Sequence, residues 1–183
     1  MIRCCMNVNH VLQKCVCVCM NYWMFSESLK NFEITKENEF TLYGVESKYR
    51  RRAKRMQPND RALFYVKGIR KWTAIVNITS TCFTDRSPVW DSEGDSGIYP
   101  YRVNIEPYKV LNEKDYIDAL ILAPTLEYVK RWPPEDWPLA FYDRLHLIPR
   151  RDFELIESEM ARIIKKKYKD RSHRKAKTSH KRY

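Results

Sequence analysis

Glycine is scarce in this chain. There are four in 183 residues, Gly44, Gly68, Gly94 and Gly97, and they form neither the G-x-G-x-x-G turn of dinucleotide sites nor a phosphate-cradling G-x-x-x-x-G-K loop. Dinucleotide and triphosphate chemistry is therefore disfavoured. Histidine is equally sparse: His10 lies near the start and His173 and His180 near the end, so His146 is the one imidazole in the body of the chain. Five of the six cysteines (Cys4, Cys5, Cys15, Cys17, Cys19) precede Met20 and only Cys82 follows it. A body stapled by disulfides is thereby excluded, and a reducing compartment is expected. Cys15, Cys17 and Cys19 alternate instead of repeating the C-x-x-C spacing of a zinc site, so neither metal nor cofactor is expected. No run approaches the ~18 apolar residues of a membrane span, and mean hydropathy is −0.62. No membrane partner and a cytoplasmic location are the expectations.

Charge is plentiful but unevenly spread. The 34 Lys and Arg against 23 Asp and Glu give +11, which points to a polyanionic partner. Most of the excess lies in residues 165–183, with ten bases and one acid, while residues 20–164 hold 22 of each sign. The stretch 165–183 is expected to be a disordered basic tail that attracts nucleic acid without reading sequence, or simply a solubilising end. Residues 1–19 fail as a targeting segment, because His10, Gln13 and Lys14 interrupt the apolar stretch and no small-residue cleavage site follows. They are expected to be an unstructured extension or to lie upstream of the real start.

Residues 20–164 suit one domain with its own core. Asn21–Phe25 has strand character, and Ser26 or Ser28 offers a cap for a helix reaching Glu37. Phe40–Val45 is followed by Lys48–Arg55, in which Lys48, Arg50, Arg51, Arg52, Lys54 and Arg55 stand together without an acid. Gln57-Pro58-Asn59-Asp60 is turn chemistry. Arg61–Val66 and Trp72–Ser80 then read as an antiparallel pair around Gly68. In the second of these, Trp72, Ala74, Val76 and Ile78 are assigned to one buried face, Thr73, Asn77 and Thr79 to the other. Residues 82–100 are loop-like. Tyr101–Val110 alternates again, with Pro107 marking a bulge or an edge, Asp115–Ala123 suits a short helix, and Leu145–Ile148 a last strand. Asp152 is expected to cap a helix with Phe153, Ile156, Met160 and Ile163 on one face, acidic early and basic late, as the helix dipole prefers. Strands interleaved irregularly with short helices indicate an α+β fold around a small, curved, mostly antiparallel β-barrel.

Candidate chemistry is thin. Cys82 with His146 would be a nucleophile and base in principle, but no motif supports the pair, and a buried thiol with a hydrogen-bonded histidine is the simpler reading. The aromatics say more. The chain holds 5 Trp, 12 Tyr and 7 Phe, and several fall in loops or at strand ends: Tyr43, Trp90, Tyr99, Trp132, Trp137, Phe141 and Tyr142. Aromatic faces beside a basic segment are what single-stranded or flipped-base binding requires. Any one of these rings equally serves as a packing lid under a long loop.

The order of motifs carries a resemblance. Tyr22-Trp23 followed by Ser26-Glu27, then Tyr43-Gly44-Val45 before a basic stretch, Pro58-x-Asp60 leading into Leu63-Phe64-Tyr65-Val66, and Tyr99-Pro100-Tyr101-Arg102-Val103 are similar to the EVE-domain family. The match continues through Phe141 to Ile148-Pro149-x-x-Asp152-Phe153-x-x-Ile156-Glu157 and covers about residues 21–158. The resemblance implies a PUA-like fold related to the YTH readers of methylated adenine, a curved barrel with short helices over its openings. It also implies a nucleic-acid partner, RNA or DNA, with one base, modified in some members, held beside the barrel. It places Ser26 near that base, Tyr43 where the family often has a cage-wall tryptophan, and Trp90 at the loop aromatic. Tyr99 and Phe141 complete the implied pocket, Phe141-Tyr142 replacing the usual Phe-Gly with a bulkier wall. The bases Lys48, Arg50, Arg51, Arg52, Lys54 and Arg55 would meet phosphates.

The reading that follows is a non-catalytic nucleic-acid-binding domain that holds a modified base of RNA or DNA in an aromatic pocket. Burying one added methyl supplies only ~0.8 kcal/mol, about fourfold in affinity, so selecting a modified base needs steric fit and penalties for wrong partners. A general RNA-binding accessory without modification readout and a hydrolase of a modified nucleoside remain the alternatives.

Overall fold

The computed structural model describes residues 20–91 and 98–179, with side chains through Lys169. The expectation for residues 1–19 lies outside the described residues. Among the described residues eight strands form one curled sheet: β1 (Tyr22–Glu27), β2 (Leu42–Val45), β3 (Arg61–Val66), β4 (Lys71–Ile78), β5 (Phe83–Thr84), β6 (Tyr101–Val110), β7 (Ile117–Asp118) and β8 (Leu145–Leu147). The order is β2-β6-β4-β3-β1-β8, with β5 on β6 and β7 on β4. The β1–β3 pair is parallel, Tyr22 opposite Arg61 through Glu27 opposite Val66, and the other pairings are antiparallel. The α+β class and the curved, mostly antiparallel barrel are as expected.

Local sequence explains most of these elements. Ser28 is extended and its Oγ accepts from Asn31 N, capping α1 (Leu29–Glu37). A 3-10 turn at Ser47–Tyr49 runs into the one-turn α2 (Arg50–Ala53), which buries Tyr49, Ala53 and Met56 and turns the six bases to solvent. In the Pro58-Asn59-Asp60 turn Asn59 takes φ 75°, a left-handed conformation that asparagine tolerates well. The buried Asp60 carboxylate then accepts from Asn21 N, Gln57 N and Trp23 Nε1 at 2.8–3.1 Å, tying the start of β1 to that of β3. Pro107 sits opposite Val76 where the β4–β6 register shifts, the bulge its missing N–H predicts.

Two cores lie on opposite faces of the sheet. One gathers Trp23, Phe25, Phe32, Tyr43, Phe64, Val76 and Val103 beneath α1 and α2. The other gathers Met24, Leu63, Trp72, Ile75 and Phe141 beneath α4 (Arg150–Ser179), which contributes Phe153, Ile156 and Met160. Glu157 of α4 takes a bidentate pair from Arg61 at 2.8 and 2.9 Å and a third hydrogen bond from Lys109.

Four local expectations are corrected. β4 is buried on both faces, with Trp72 and Ile75 in the α4 core and Ala74, Val76 and Ile78 in the other; register shifts in its pairings with β3 and β6 break the simple alternation. Asp115–Ala123 is not one helix: Ile117–Asp118 adds β7 to the sheet, and Pro124 leaves room for only the single turn α3 (Ala119–Leu122). Asp152 lies inside the first turn of α4, and its carboxylate accepts from Glu127 N and Tyr128 N, tying an incoming loop to the helix instead of capping it. Beyond Lys165 the helix runs on to Ser179 where a disordered tail was expected. Lys, Arg and Ala are good helix formers, and no Pro or Gly follows Pro149.

Candidate nucleic-acid interface

The segment after a 3-10 turn at Trp137–Phe141 crosses the end of β1 on its way into β8, and three elements pin it there. Ser26 Oγ donates to Phe141 O at 2.7 Å and Ser26 N to Arg144 O at 2.8 Å. From β2, Tyr43 OH donates to the same Arg144 O at 3.3 Å. From the basic turn, Tyr49 OH accepts from Arg144 N and donates to Asp143 Oδ1 at 3.2 Å, while Arg52 Nη1 donates to Asp143 Oδ2 at 3.1 Å and Leu145 O at 2.9 Å.

A cleft of about 360 Å³ opens along this segment, lined by Arg52, Tyr128, Trp132, Leu139, Ala140, Tyr142, Asp143 and His146. Trp132 is 41% exposed and Tyr142 75%, so two large π-faces meet solvent at one opening. Lys67 Nζ stands 6.0 Å from the Tyr142 ring centroid. Burial pushes the His146 imidazole down to about 4, and the Arg52 and Lys67 charges act in the same direction against the hydrogen bond to Asp143. Neutral at pH 7, His146 donates from Nε2 to Asp143 O at 2.6 Å, which leaves Nδ1 to accept from Tyr128 OH at 2.9 Å. Burial raises the Asp143 carboxyl, but the hydrogen bonds from Arg52 and Tyr49 and the Arg52 charge outweigh it and hold the group below its ordinary range. Asp143 is therefore an acceptor only.

The five residues assigned to the pocket are all buried. Tyr43 lies in the core, stacked on Phe25 with centroids 3.6 Å apart, and burial together with the Glu27 charge drives its phenol well up. Ser26, Tyr43 and Phe141 thus form the backing of the cleft wall, with Phe141 behind Tyr128 at 6.2 Å and 16°. Trp90 and Tyr99 lie elsewhere, edge to face at 5.9 Å over β2. Trp90 Nε1 donates to Thr35 Oγ1, and buried Arg102 donates to Tyr99 O, Asp85 and Ser87. The residue linking the two groups is Arg144, whose carbonyl serves Ser26 and Tyr43 while its guanidinium pairs with Glu27 and donates to Tyr99 OH at 3.2 Å. Of the six bases, Arg52 is drawn into the cleft and Lys48 pairs with Glu46 at 3.2 Å. Arg50 lies 5.8 Å from the Tyr101 ring. Arg51, Lys54 and Arg55 are exposed and make no ion pair among the described residues. Sequence reasoning missed Asp143, Arg144, Tyr128 and Glu27; it flagged Trp132 and Tyr142 through the surplus of loop aromatics.

The EVE-domain profile matches residues 21–135, more than half of the chain. The chain belongs to the EVE-domain family. This EVE-domain protein is 27% identical over 151 residues to a UPF0310 protein of Pyrococcus horikoshii, covering 75% of this chain and 97% of that one. Among solved structures it is similar to the YTH domain-containing protein mmi1 in complex with RNA, with TM-score 0.57, 12% identity, and 81% of this chain and 87% of that one covered. It is also similar to the YTH domain of Zygosaccharomyces rouxii MRB1 in complex with N6-methyladenosine RNA, with TM-score 0.55, 13% identity, and 78% and 88% covered. These likenesses show a shared YTH/PUA-like fold. Among the described residues no helix is long and apolar enough to cross a membrane.

Proposed function

We propose that this EVE-domain protein binds single-stranded RNA, taking one base into the cleft while the basic turn meets the phosphates. The observation that carries this reading is the cleft itself: the exposed rings of Trp132 and Tyr142 line one opening with Arg52, next to a turn whose bases face solvent. Stacking on aromatic rings and a basic track for the backbone are the two requirements of single-strand binding. The YTH proteins of the same fold whose complexes contain RNA support the choice of partner. Ser26, Tyr43 and Phe141 then act as positioning residues for the wall, Trp90 and Tyr99 stiffen its neighbour, and Lys48, Arg50, Arg51, Lys54 and Arg55 contact phosphates. Binding is favoured over catalysis because both ring nitrogens of His146 are engaged and its pKa is far below neutral, leaving no poised general base there.

The finer part of the proposal is preference for a modified base, for which Leu139, Ala140 and the two rings supply apolar walls. Fluorescence anisotropy with labelled RNA tests both parts. Trp132→Ala and Tyr142→Ala should each weaken binding roughly tenfold, since a base stack is worth ~1–3 kcal/mol, with thermal stability nearly unchanged. Unaltered affinity in both variants would remove the cleft from the interface. Methylated RNAs bound more than about fourfold tighter than plain ones would show steric readout beyond the transfer of a methyl group; equal affinities would leave general RNA binding. Deoxy versions of the same oligonucleotides report whether the 2′-hydroxyl matters.

A further inference from the structure

The polar edge of the cleft has an order. Arg52 Nη1 donates to Asp143 Oδ2, while Oδ1 accepts from Tyr49 OH. Reading across, the cleft presents a donor, an acceptor and a second acceptor. Among the described residues Arg52 spends only Nη1, on Asp143 and Leu145 O, so Nη2 and Nε remain for a ligand. Each carboxylate oxygen has a second lone pair beyond the hydrogen bond it already accepts. The Asp143 side chain is 47% exposed and that of Arg52 49%, so both are accessible from the cleft.

Given that the cleft takes a base, we propose that it selects guanine, Arg52 donating to O6, and Asp143 Oδ2 and Oδ1 accepting from N1–H and the N2 amino group. The Watson–Crick edge of guanine runs acceptor, donor, donor, the complement of that order. Adenine would set its N1 lone pair against the carboxylate. Cytosine would set N3 and O2 there, and uracil would satisfy one oxygen and oppose the other with O2. An acceptor-only group facing an acceptor is repelled, and a buried polar group left without its partner discriminates more strongly than a missing methylene does. A base modified away from this edge keeps all three hydrogen bonds.

The test uses U-rich RNA 9-mers with one central guanine, adenine, cytosine or inosine, and anisotropy as the readout. The guanine 9-mer should bind about tenfold or more tighter than the adenine and cytosine ones, within the range expected of a bidentate base pairing. Inosine, which lacks only the N2 amino group, should lose a large part of that advantage. Asp143→Asn, checked for an unchanged melting curve, should bring the guanine and adenine affinities together. Equal binding of guanine and inosine, a preference for another base, or a guanine preference surviving in Asp143→Asn would each overturn the proposal. Trp132→Ala separates this outcome from failure of the broader reading. If it weakens every 9-mer while guanine is not preferred, the cleft stands and guanine selection falls. If it weakens none, the cleft reading falls, and the guanine assignment with it.

Discussion

Glu27 and Arg144 lie 117 residues apart in sequence, and their side chains meet as a buried ion pair at 3.0 Å. Their exposures are 1% and 4%, so neither charge shares its field with water. The guanidinium also covers the Tyr99 ring at 4.2 Å. The pair therefore joins the end of β1, the strand entering β8 and the aromatic loop over β2.

Breaking one side of that pair should be costly. Glu27→Leu or Arg144→Met leaves the opposite charge buried and uncompensated, and each is expected to destabilise the fold by about 3–5 kcal/mol. The double replacement Glu27→Leu with Arg144→Met should recover much of that loss, because two desolvated charges are removed together. Urea denaturation of the four proteins gives the coupling; strictly additive losses would show that the pair does not act as a unit.

Gly44 is required by Trp90. A Cβ on Gly44 would stand 2.6 Å from Trp90 Cζ3 and 3.1 Å from Tyr99 Cβ, too close to a ring held by its bond to Thr35. Gly44→Ala should cost about 1–3 kcal/mol through overpacking. Displacing the indole should shift tryptophan emission to the red, and unchanged emission with unchanged stability would count against this packing.

The exposed bases of the turn predict a salt effect. Changing Arg51, Lys54 and Arg55 together to Gln should reduce the slope of log affinity against log salt by about 0.7 for each phosphate that is no longer neutralised on a single strand. Base preference should stay as it was, since these side chains do not line the cleft. A slope unchanged from wild type would place the phosphates elsewhere.

His146 sets a pH window for stability. Its folded pKa is about 4 against 6.5 for the free group, so the unfolded chain takes up the proton first as pH falls. The contribution is complete above about pH 6.5 and is lost progressively towards pH 4, at most about 3 kcal/mol for a shift of this size. His146→Gln should flatten the stability profile over that interval, as followed by urea midpoints at successive pH values. Asp143 and Glu157, held low by their partners, act in a separate window, losing their contribution only as pH drops below the ordinary carboxylate range.

Legibility in the sequence followed the physics of each element. β3 and β6 were readable to the residue because a run of β-branched and aromatic residues or a clean alternation has no competing explanation. β4 was misread where bulges move Trp72 onto the face of Ile75, which no local pattern announces. Asp152 looked like a cap because a carboxylate before an amphipathic run usually is one; a distant loop claimed it first. The cleft was half visible. Trp132 and Tyr142 stood out as aromatics without a core role, but Asp143 and Arg144 look like ordinary solvated charges until β1 and β8 are brought side by side.

That neighbourhood has a consequence for synthesis of the chain. β1, near the beginning of the described chain, lies between β3 and β8, with Trp23, Met24 and Phe25 opposite Leu147, His146 and Leu145. While the ribosome is still making residues 28–144, one edge of β1 has no partner and Glu27 waits for its cation. An unpaired apolar strand edge of this kind is prone to association with other chains. The sheet closes only after Leu147 has emerged, so this edge of β1 stays open until β8 arrives.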